Sequence, residues 1–174
     1  MKFLNQSKIF MVAMLASAFA FTACDKDDDD KDKEDPKMSK TYAYTFSGSY
    51  EGDHPSNLSA DLKITEIDDN SAKVEVTLRN TISGEMYMIH AHDAADPATT
   101  PNNTPYNETP NAQVLVQMAT GNGGDVTVSQ TANMSYAELT SSYEAFFVVH
   151  DPLQDISTTD LTTYLVVGGF AREQ

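Results

Sequence analysis

Apolar and polar residues alternate strictly over 72–80, AKVEVTLRN, where single charged or polar residues separate Val74, Val76 and Leu78. Successive side chains of an extended strand point to opposite faces, so a period of two indicates a β-strand with one buried face. Similar runs recur at 41–50, 58–67, 85–93, 112–119, 125–131, 143–151 and 162–172. Eight short strands, with a GNGG hairpin turn at 121–124 and one helical turn near 135–141, predict an all-β fold. The expected form is an eight-stranded antiparallel Greek-key sandwich or barrel.

The first residues of the chain do not share this alternation. Lys2 and Lys8 precede an apolar run over 9–21. This run is too short to cross a bilayer and is typical of a signal peptide. FTAC follows, ending at Cys24, the only cysteine. Small residues before a lone cysteine resemble the cleavage box of bacterial lipoproteins, which implies a signal peptide over 1–23 and a lipid anchor, such as palmitate, on Cys24. The alternative is a secretory peptide that leaves a free thiol.

Residues 25–40, DKDDDDKDKEDPKMSK, are almost entirely charged. Such a segment repels itself and cannot bury apolar surface, so together with Cys24 it predicts a disordered acidic tether over 24–40, ahead of a β-sandwich domain over 41–174. An acidic run directly after a lipidated cysteine is similar to the export signal of surface lipoproteins in Bacteroidetes. It implies an outer-membrane location at the cell surface; the periplasmic face, with the run as a solvated spacer, is the alternative.

The charge of the chain excludes one class of partner. There are 11 Lys and Arg residues against 26 Asp and Glu residues, a formal net charge of -15. From residue 41 onward, the chain has 4 basic and 18 acidic residues, a charge balance of -14. This balance argues against binding to nucleic acid and against electrostatic adsorption to anionic lipid.

The segment 86–93, MYMIHAHD, contains two of the four histidines. Residues two apart in a strand share a face, about 6.6 Å apart, so His90 and His92 lie on one face with Met86 and Met88. The opposite face, Tyr87, Ile89 and Ala91, is the better candidate for the core.

A third histidine, His150, ends another apolar strand, FFVVH. Two imidazoles from one strand and a third from another strand are a common way to build a copper or zinc site. The sequence therefore gives His90, His92 and His150 as candidate metal ligands, with Met86 and Met88 as further candidates because thioethers suit Cu(I).

The order HAH, a loop, FFVVHDPLQD and a final strand LVVGGFAR is similar to the Cu/Zn superoxide dismutase fold and to the related CHRD domain. The resemblance covers about residues 42–172. It implies an eight-stranded Greek-key β-sandwich in which His90, His92 and His150 occupy three of the four copper-ligand positions.

The departures from the dismutase pattern concern the chemistry. Residues 98–111 contain no histidine, so we expect one copper ion and no zinc. The segment before the last strand, 158–164, lacks the arginine that would guide superoxide, and Arg172 lies beyond that strand. Superoxide is an anion, and a domain with a charge balance of -14 would repel it. Efficient dismutation is therefore not expected, and the sequence favours a protein without catalytic turnover.

Two interpretations stay open. In the first, the domain binds copper as a surface scavenger or carrier, and its acidic residues attract cations. In the second, it is a metal-free CHRD-like binding or adhesion module for a protein or glycan partner. The histidines then hold the backbone through Nδ1–H bonds, and function lies in exposed loops such as 94–111. His54, in a predicted turn, is expected to be solvated unless the fold brings it near His150.

Overall fold

The computed structural model describes residues 37–96 and 106–172. These residues form nine β-strands, one short α-helix and one turn of 3₁₀ helix over Leu161–Thr163. The elements are β1 (Ser39–Tyr44), β2 (Ser59–Asp68), β3 (Ser71–Arg79), β4 (Met86–Ala94), β5 (Tyr106–Pro110), β6 (Val116–Thr120), β7 (Val126–Ala132), α1 (Tyr136–Ser141), β8 (Ala145–His150) and β9 (Tyr164–Gly169).

The strands form two open antiparallel sheets, and neither sheet closes on itself. The first sheet has the order β1-β2-β3-β7, and the second has the order β5-β4-β8-β9. Strand β6 also pairs with β4, along the edge that faces away from β8. Strand β4 is therefore flanked on both sides, by β8 on one edge and by β5 and β6 on the other.

The core lies between the two sheets and follows the alternation of the sequence. In β3, Val74, Val76 and Leu78 are fully buried, as the period of two predicts. The facing side chains of the second sheet include Ile89 and Phe147, in the same apolar cluster. A sandwich of two packed sheets results, with Lys73 and Glu75 of β3 on its outer face.

The turn between β2 and β3 shows how local sequence sets the pairing. Asp68 pairs with Ser71, so only Asp69 and Asn70 remain in the loop. The Asn70 amide donates to Oδ1 of Asp68 at 2.9 Å, a side-chain bond that favours a tight turn.

The number of strands differs from the sequence prediction. The described ranges contain nine strands rather than eight, because residues 106–110 of the predicted loop form β5. These residues do not alternate in polarity, and they pair with β4 only at the end of the sheet. Strand β1 also begins earlier than expected, at Ser39, within the segment predicted to be tether.

The GNGG segment is not a hairpin turn. Strand β6 before it pairs with β4, whereas strand β7 after it pairs with β3. The segment therefore connects one sheet to the other. Gly123 has a φ of 85°, which L side chains rarely adopt, and Gly121 packs against the carbonyl group of Ile82.

The predicted helical turn is confirmed as α1. Ser135 caps it in a capping box. The Ser135 side chain accepts a hydrogen bond from the backbone amide of Glu138, and the Glu138 side chain accepts one from the backbone amide of Ser135. The predicted signal peptide, Cys24 and the tether up to residue 36 lie outside the described residues. Within the described ranges, the structure has no helix long and apolar enough to cross a membrane.

Candidate metal centre

Strand β4 separates two environments by the alternation of its side chains. Tyr87, Ile89 and Ala91 are fully buried between the sheets, which confirms the predicted core face. His90 and His92 point to the opposite face of the second sheet. The histidines therefore lie outside the core of the sandwich, on the outer side of one sheet.

Strand β8 adds the third histidine to the same face. His90 of β4 pairs with Val148, and the register shifts between Val149 and His150. The imidazole of His150 packs against that of His90, with the ring centroids 5.0 Å apart. The centroids of His90 and His92 lie 5.6 Å apart. The structure thus brings together the three histidines that the sequence predicted as ligands.

The three imidazoles are close enough to bind one metal ion. One ring nitrogen from each of His90, His92 and His150 lies within 4.8 Å of the other two. The side chains are all buried, with exposures of 5%, 4% and 4%. In the described part of the chain, no other group of His, Cys, Asp or Glu has this geometry.

The hydrogen bonds of these rings are unusual for buried histidines. Nδ1 of His92 lies 2.7 Å from the carbonyl oxygen of Asn107, to which it donates. Nε2 of His92, Nδ1 of His90 and both nitrogens of His150 are buried and have no hydrogen-bond partner among the described residues. Buried polar atoms nearly always have a partner, so four such nitrogens in one cluster require an explanation. A bound metal ion would take one nitrogen from each ring and so account for at most three of the four.

Burial keeps these rings neutral. Loss of solvent, together with its neighbour His92, lowers the pKa of His90 to about 4. The same desolvation, with His90 and His92 nearby, lowers the pKa of His150 to about 3. Desolvation also lowers the pKa of His92, although the bond to Asn107 acts in the opposite direction. Neutral imidazole is the form that binds a metal, so no proton has to be displaced at neutral pH.

A cavity of about 200 Å³ adjoins the histidines. Tyr106 and Tyr164 form part of its wall, and their rings lie 4.9 Å from His92 and 4.6 Å from His150, respectively. Burial raises the pKa of both phenols, so both are neutral at physiological pH. A small ligand or a water molecule could therefore reach a metal ion held by the triad from this mostly apolar space.

The candidate thioethers lie on the expected face. Met88 lines the cavity with the three histidines. Met86, two residues earlier in β4, is 54% exposed and borders a neighbouring cavity. Met88 is therefore the nearer of the two to the histidines.

The acidic residues next to the histidines are engaged elsewhere. Asp93 accepts hydrogen bonds from Tyr143 at 2.5 Å and from Asn111 at 2.8 Å. Asp151 accepts from Tyr50 at 2.6 Å and from Gln154 at 2.8 Å. Neither carboxylate belongs to the histidine cluster. They position the ends of β4 and β8 rather than extend the ligand set.

Arg172 lies at another place on the molecule. Its Nε donates to the carbonyl oxygen of Tyr143 at 2.8 Å, and its side chain borders a different cavity beside Glu144. The described residues that line the histidine cavity include Glu108 but no Lys or Arg. The surroundings of the triad are therefore neutral to acidic.

His54 corrects one expectation and provides a contrast. It is 4% exposed rather than solvated. Its Nε2 lies 2.9 Å from the hydroxyl group of Tyr87, and its Nδ1 lies 2.9 Å from the carbonyl oxygen of Pro55. Both nitrogens have partners, as expected of a structural histidine, and His54 is not part of the cluster.

Tyr106, Tyr164 and Glu108 belong to the site although no sequence pattern predicts them there. Tyr106 lies in the predicted loop, and Tyr164 follows the 3₁₀ turn at the start of β9. No spacing in the sequence relates them to the histidines, because they reach the cavity only through the pairing of β5 with β4 and of β9 with β8.

Comparisons with known proteins give no relative: no family model, no curated protein and no solved structure matches the chain. The function therefore has to be argued from the site itself.

Proposed function

We propose that this chain is a lipid-anchored copper-binding protein of the bacterial outer membrane, with one copper ion held by His90, His92 and His150. It acts as a scavenger or carrier and does not turn over a substrate efficiently. One observation carries the proposal: ring nitrogens of three buried histidines converge within 4.8 Å, and four nitrogens of these rings lack a partner among the described residues.

The contrast with His54 argues against purely structural histidines at the triad. A metal-free module would use its buried histidines as hydrogen-bond donors and acceptors, as His54 is used. Among the residues that the structure describes, only the bond from His92 to Asn107 fits that description in the triad. In metal sites, such a bond from the distal nitrogen commonly orients a ligating imidazole.

The choice of copper rests on ligand chemistry. Imidazole binds Cu(II) well, and the thioether of Met88 beside the histidines suits Cu(I). A three-histidine set is also compatible with Zn²⁺, so zinc is the competitor that any titration has to include.

Electrostatics argue against efficient superoxide dismutation. A negative charge balance and a cavity wall that contains Glu108 raise the energy of an approaching anion, whereas they favour a cation. Arg172 borders another cavity and donates to a main-chain carbonyl group instead. A superoxide assay on the copper-loaded protein tests this directly, and we expect a rate far below the diffusion limit.

The resemblance to the dismutase and CHRD folds, including a Greek-key connection of the strands, remains part of the proposal. It is supported by the two-sheet sandwich and by the placement of the histidines on the outer face of one sheet. The cellular location rests on the sequence around Cys24. Metabolic labelling with palmitate, compared between the wild type and Cys24→Ala, tests the anchor, and protease shaving of intact cells tests surface exposure.

The test of the metal site is a titration of the full chain, purified in detergent, with Cu(II), Cu(I) and Zn²⁺. We expect one tight Cu(II) ion per chain, which His90→Ala/His92→Ala abolishes. His54→Ala is the matched control, a buried histidine outside the cluster. The acidic segment 25–35 is common to all variants, so its weak binding does not affect the comparison. Equal tight binding by the wild type and the double variant would refute the site, and the absence of tight binding by either would favour the metal-free adhesion module.

A further inference from the structure

Three methionines lie side by side on the face that carries the histidines. In the pairing of β4 with β6, Met88 lies directly opposite Met118. Directly opposite residues of an antiparallel pair share a face, with their Cβ atoms about 5 Å apart. Met86 precedes Met88 by two residues and lies on the same face, diagonal to Met118. Flexible thioether side chains at these spacings can direct their sulfur atoms to one point.

These methionines are more exposed than packing requires. Met118 is 60% exposed and Met86 is 54% exposed, the two highest values among the large apolar side chains that the structure describes as exposed. Met88 between them is half-buried. A single exposed apolar residue needs no explanation, but here two adjoin a third that reaches a buried polar site.

Two cavities connect the methionines with the histidines. The second cavity, of about 170 Å³, is bordered by Met86 and Met88 and by His150. Met88 and His150 also line the cavity that contains His90 and His92. Met88 and His150 therefore border both cavities, so the face that carries the methionines adjoins the histidine triad.

We propose that Met86, Met88 and Met118 form a second, solvent-facing site that captures Cu(I) and passes it to the histidine triad. This inference rests on the proposed function of the triad. Neutral thioethers are soft ligands that prefer Cu(I) to Cu(II) and Zn²⁺. The transfer is a ligand exchange: Cu–S bonds break as Cu–N bonds form, the ion keeps its single positive charge, and no electron is transferred. The acidic surface of the domain favours the approach of a cation.

The experiment measures Cu(I) transfer from its bicinchoninate complex to the full chain under anaerobic conditions, by stopped-flow absorbance and by stoichiometry at equilibrium. We expect the wild type to take two Cu(I) ions. Met118→Leu keeps the apolar volume but lacks the sulfur; it should take one ion, at least tenfold more slowly. His90→Ala/His92→Ala should retain one ion at the methionines. Met38→Leu is the matched control, because Met38 is 51% exposed and lies outside this cluster.

The outcomes separate this inference from the proposed function. Equal stoichiometry and equal rates for the wild type and Met118→Leu would overturn the methionine site, even where the triad binds Cu(II) tightly. One Cu(I) ion retained by His90→Ala/His92→Ala and lost on addition of Met118→Leu would establish the site independently of the triad. Failure of the proposed function would appear in a different measurement, as the absence of tight Cu(II) binding that depends on His90 and His92.

Discussion

Nδ1 of His92 lies 2.7 Å from the main-chain carbonyl oxygen of Asn107, so this ring is held in the tautomer that carries its proton on Nδ1. Nε2 is then the nitrogen with a free lone pair, and it is buried in the cluster without a partner among the described residues. We predict that long-range ¹H–¹⁵N spectra of the apoprotein show a protonated Nδ1 at His92. Addition of copper should affect the Nε2 signal first. A protonated Nε2 at neutral pH would contradict this assignment.

Replacement of His150 by an apolar residue should stabilise the apoprotein. Both ring nitrogens of His150 are buried without a partner among the described residues, and an unsatisfied buried polar group costs about 1–3 kcal/mol. We expect His150→Leu to raise the free energy of unfolding by about that amount at neutral pH and to abolish tight metal binding. Denaturant unfolding of the metal-free protein measures the first effect.

His54→Leu is the control for that substitution. His54 is equally buried, but both of its nitrogens are hydrogen-bonded, and its loss leaves the hydroxyl group of Tyr87 without one partner. This variant should be destabilised by about 1–3 kcal/mol and should still bind the metal. If both variants lose stability equally, the nitrogens of His150 have partners in solution.

The stability of the apoprotein should fall with acid below about pH 6.5. The pKa values of His90 and His150 in the fold are about 4 and about 3, whereas an unfolded histidine titrates near 6.5. Between these values the unfolded chain binds more protons than the folded one. The stability is therefore complete above about pH 6.5 and is lost as the pH falls toward the folded pKa values, by roughly 1.4 kcal/mol per pH unit for each histidine that titrates.

Carboxylates titrate in part of the same pH range. The effect of the histidines is therefore measured by comparing the wild type with a variant that lacks two of them. Denaturant unfolding of the wild type and of His90→Leu/His150→Leu at several pH values should give a smaller slope for the variant between pH 4 and 6. Identical slopes would mean that these rings are protonated in the folded state as readily as in the unfolded chain.

Two neighbouring tyrosines of β1 should respond oppositely to loss of the hydroxyl group. The Tyr44 hydroxyl donates to the carbonyl oxygen of Gly169 at 2.7 Å and accepts from the amide of Ala171 at 2.9 Å. The Tyr42 hydroxyl is buried with no partner among the residues the structure describes. We expect Tyr44→Phe to lower the free energy of unfolding by about 1–3 kcal/mol and Tyr42→Phe to leave it unchanged or raise it. Thermal unfolding of both variants tests the pair.

Gly121 should not tolerate a side chain. A Cβ atom at this position would overlap the carbonyl group of Ile82, whereas a Cβ atom at Gly48 would meet nothing within 4 Å. Gly121→Ala should therefore cost about 1–3 kcal/mol, as other overpacked sites do, and Gly48→Ala should cost less. A melting temperature of Gly121→Ala equal to that of the wild type would mean that the connection between the sheets shifts freely.

Much of the site was predictable because its central element obeys a local rule. The alternation in β4 assigns Ile89 to the core and His90 to the outer face without knowledge of any neighbour. His150 was a candidate because it ends a second apolar strand, but the alternation does not show which strands are neighbours. The pairing of β4 with β8 brings His150 close to His90.

The remainder depends on contacts that are remote in sequence. His54 lies in a polar segment that resembles an exposed turn, and its buried Nε2 is satisfied by the hydroxyl group of Tyr87, 33 residues away in the chain. Strand β5 has no apolar period, because it pairs with β4 only at the end of the sheet. The GNGG segment has the composition of a hairpin, but β6 and β7 pair with different sheets, which turn chemistry alone does not determine.

Because β4 has a core face and a histidine face, the strand is sensitive to any change in the number of its residues. One residue inserted between Tyr87 and Ile89 would rotate every later side chain to the other side of the sheet. His90 and His92 would then point between the sheets, and Ile89 and Ala91 would lie in the cavity. Substitutions in this strand can therefore change the binding site or the core separately, whereas a length change of a single residue exchanges the two.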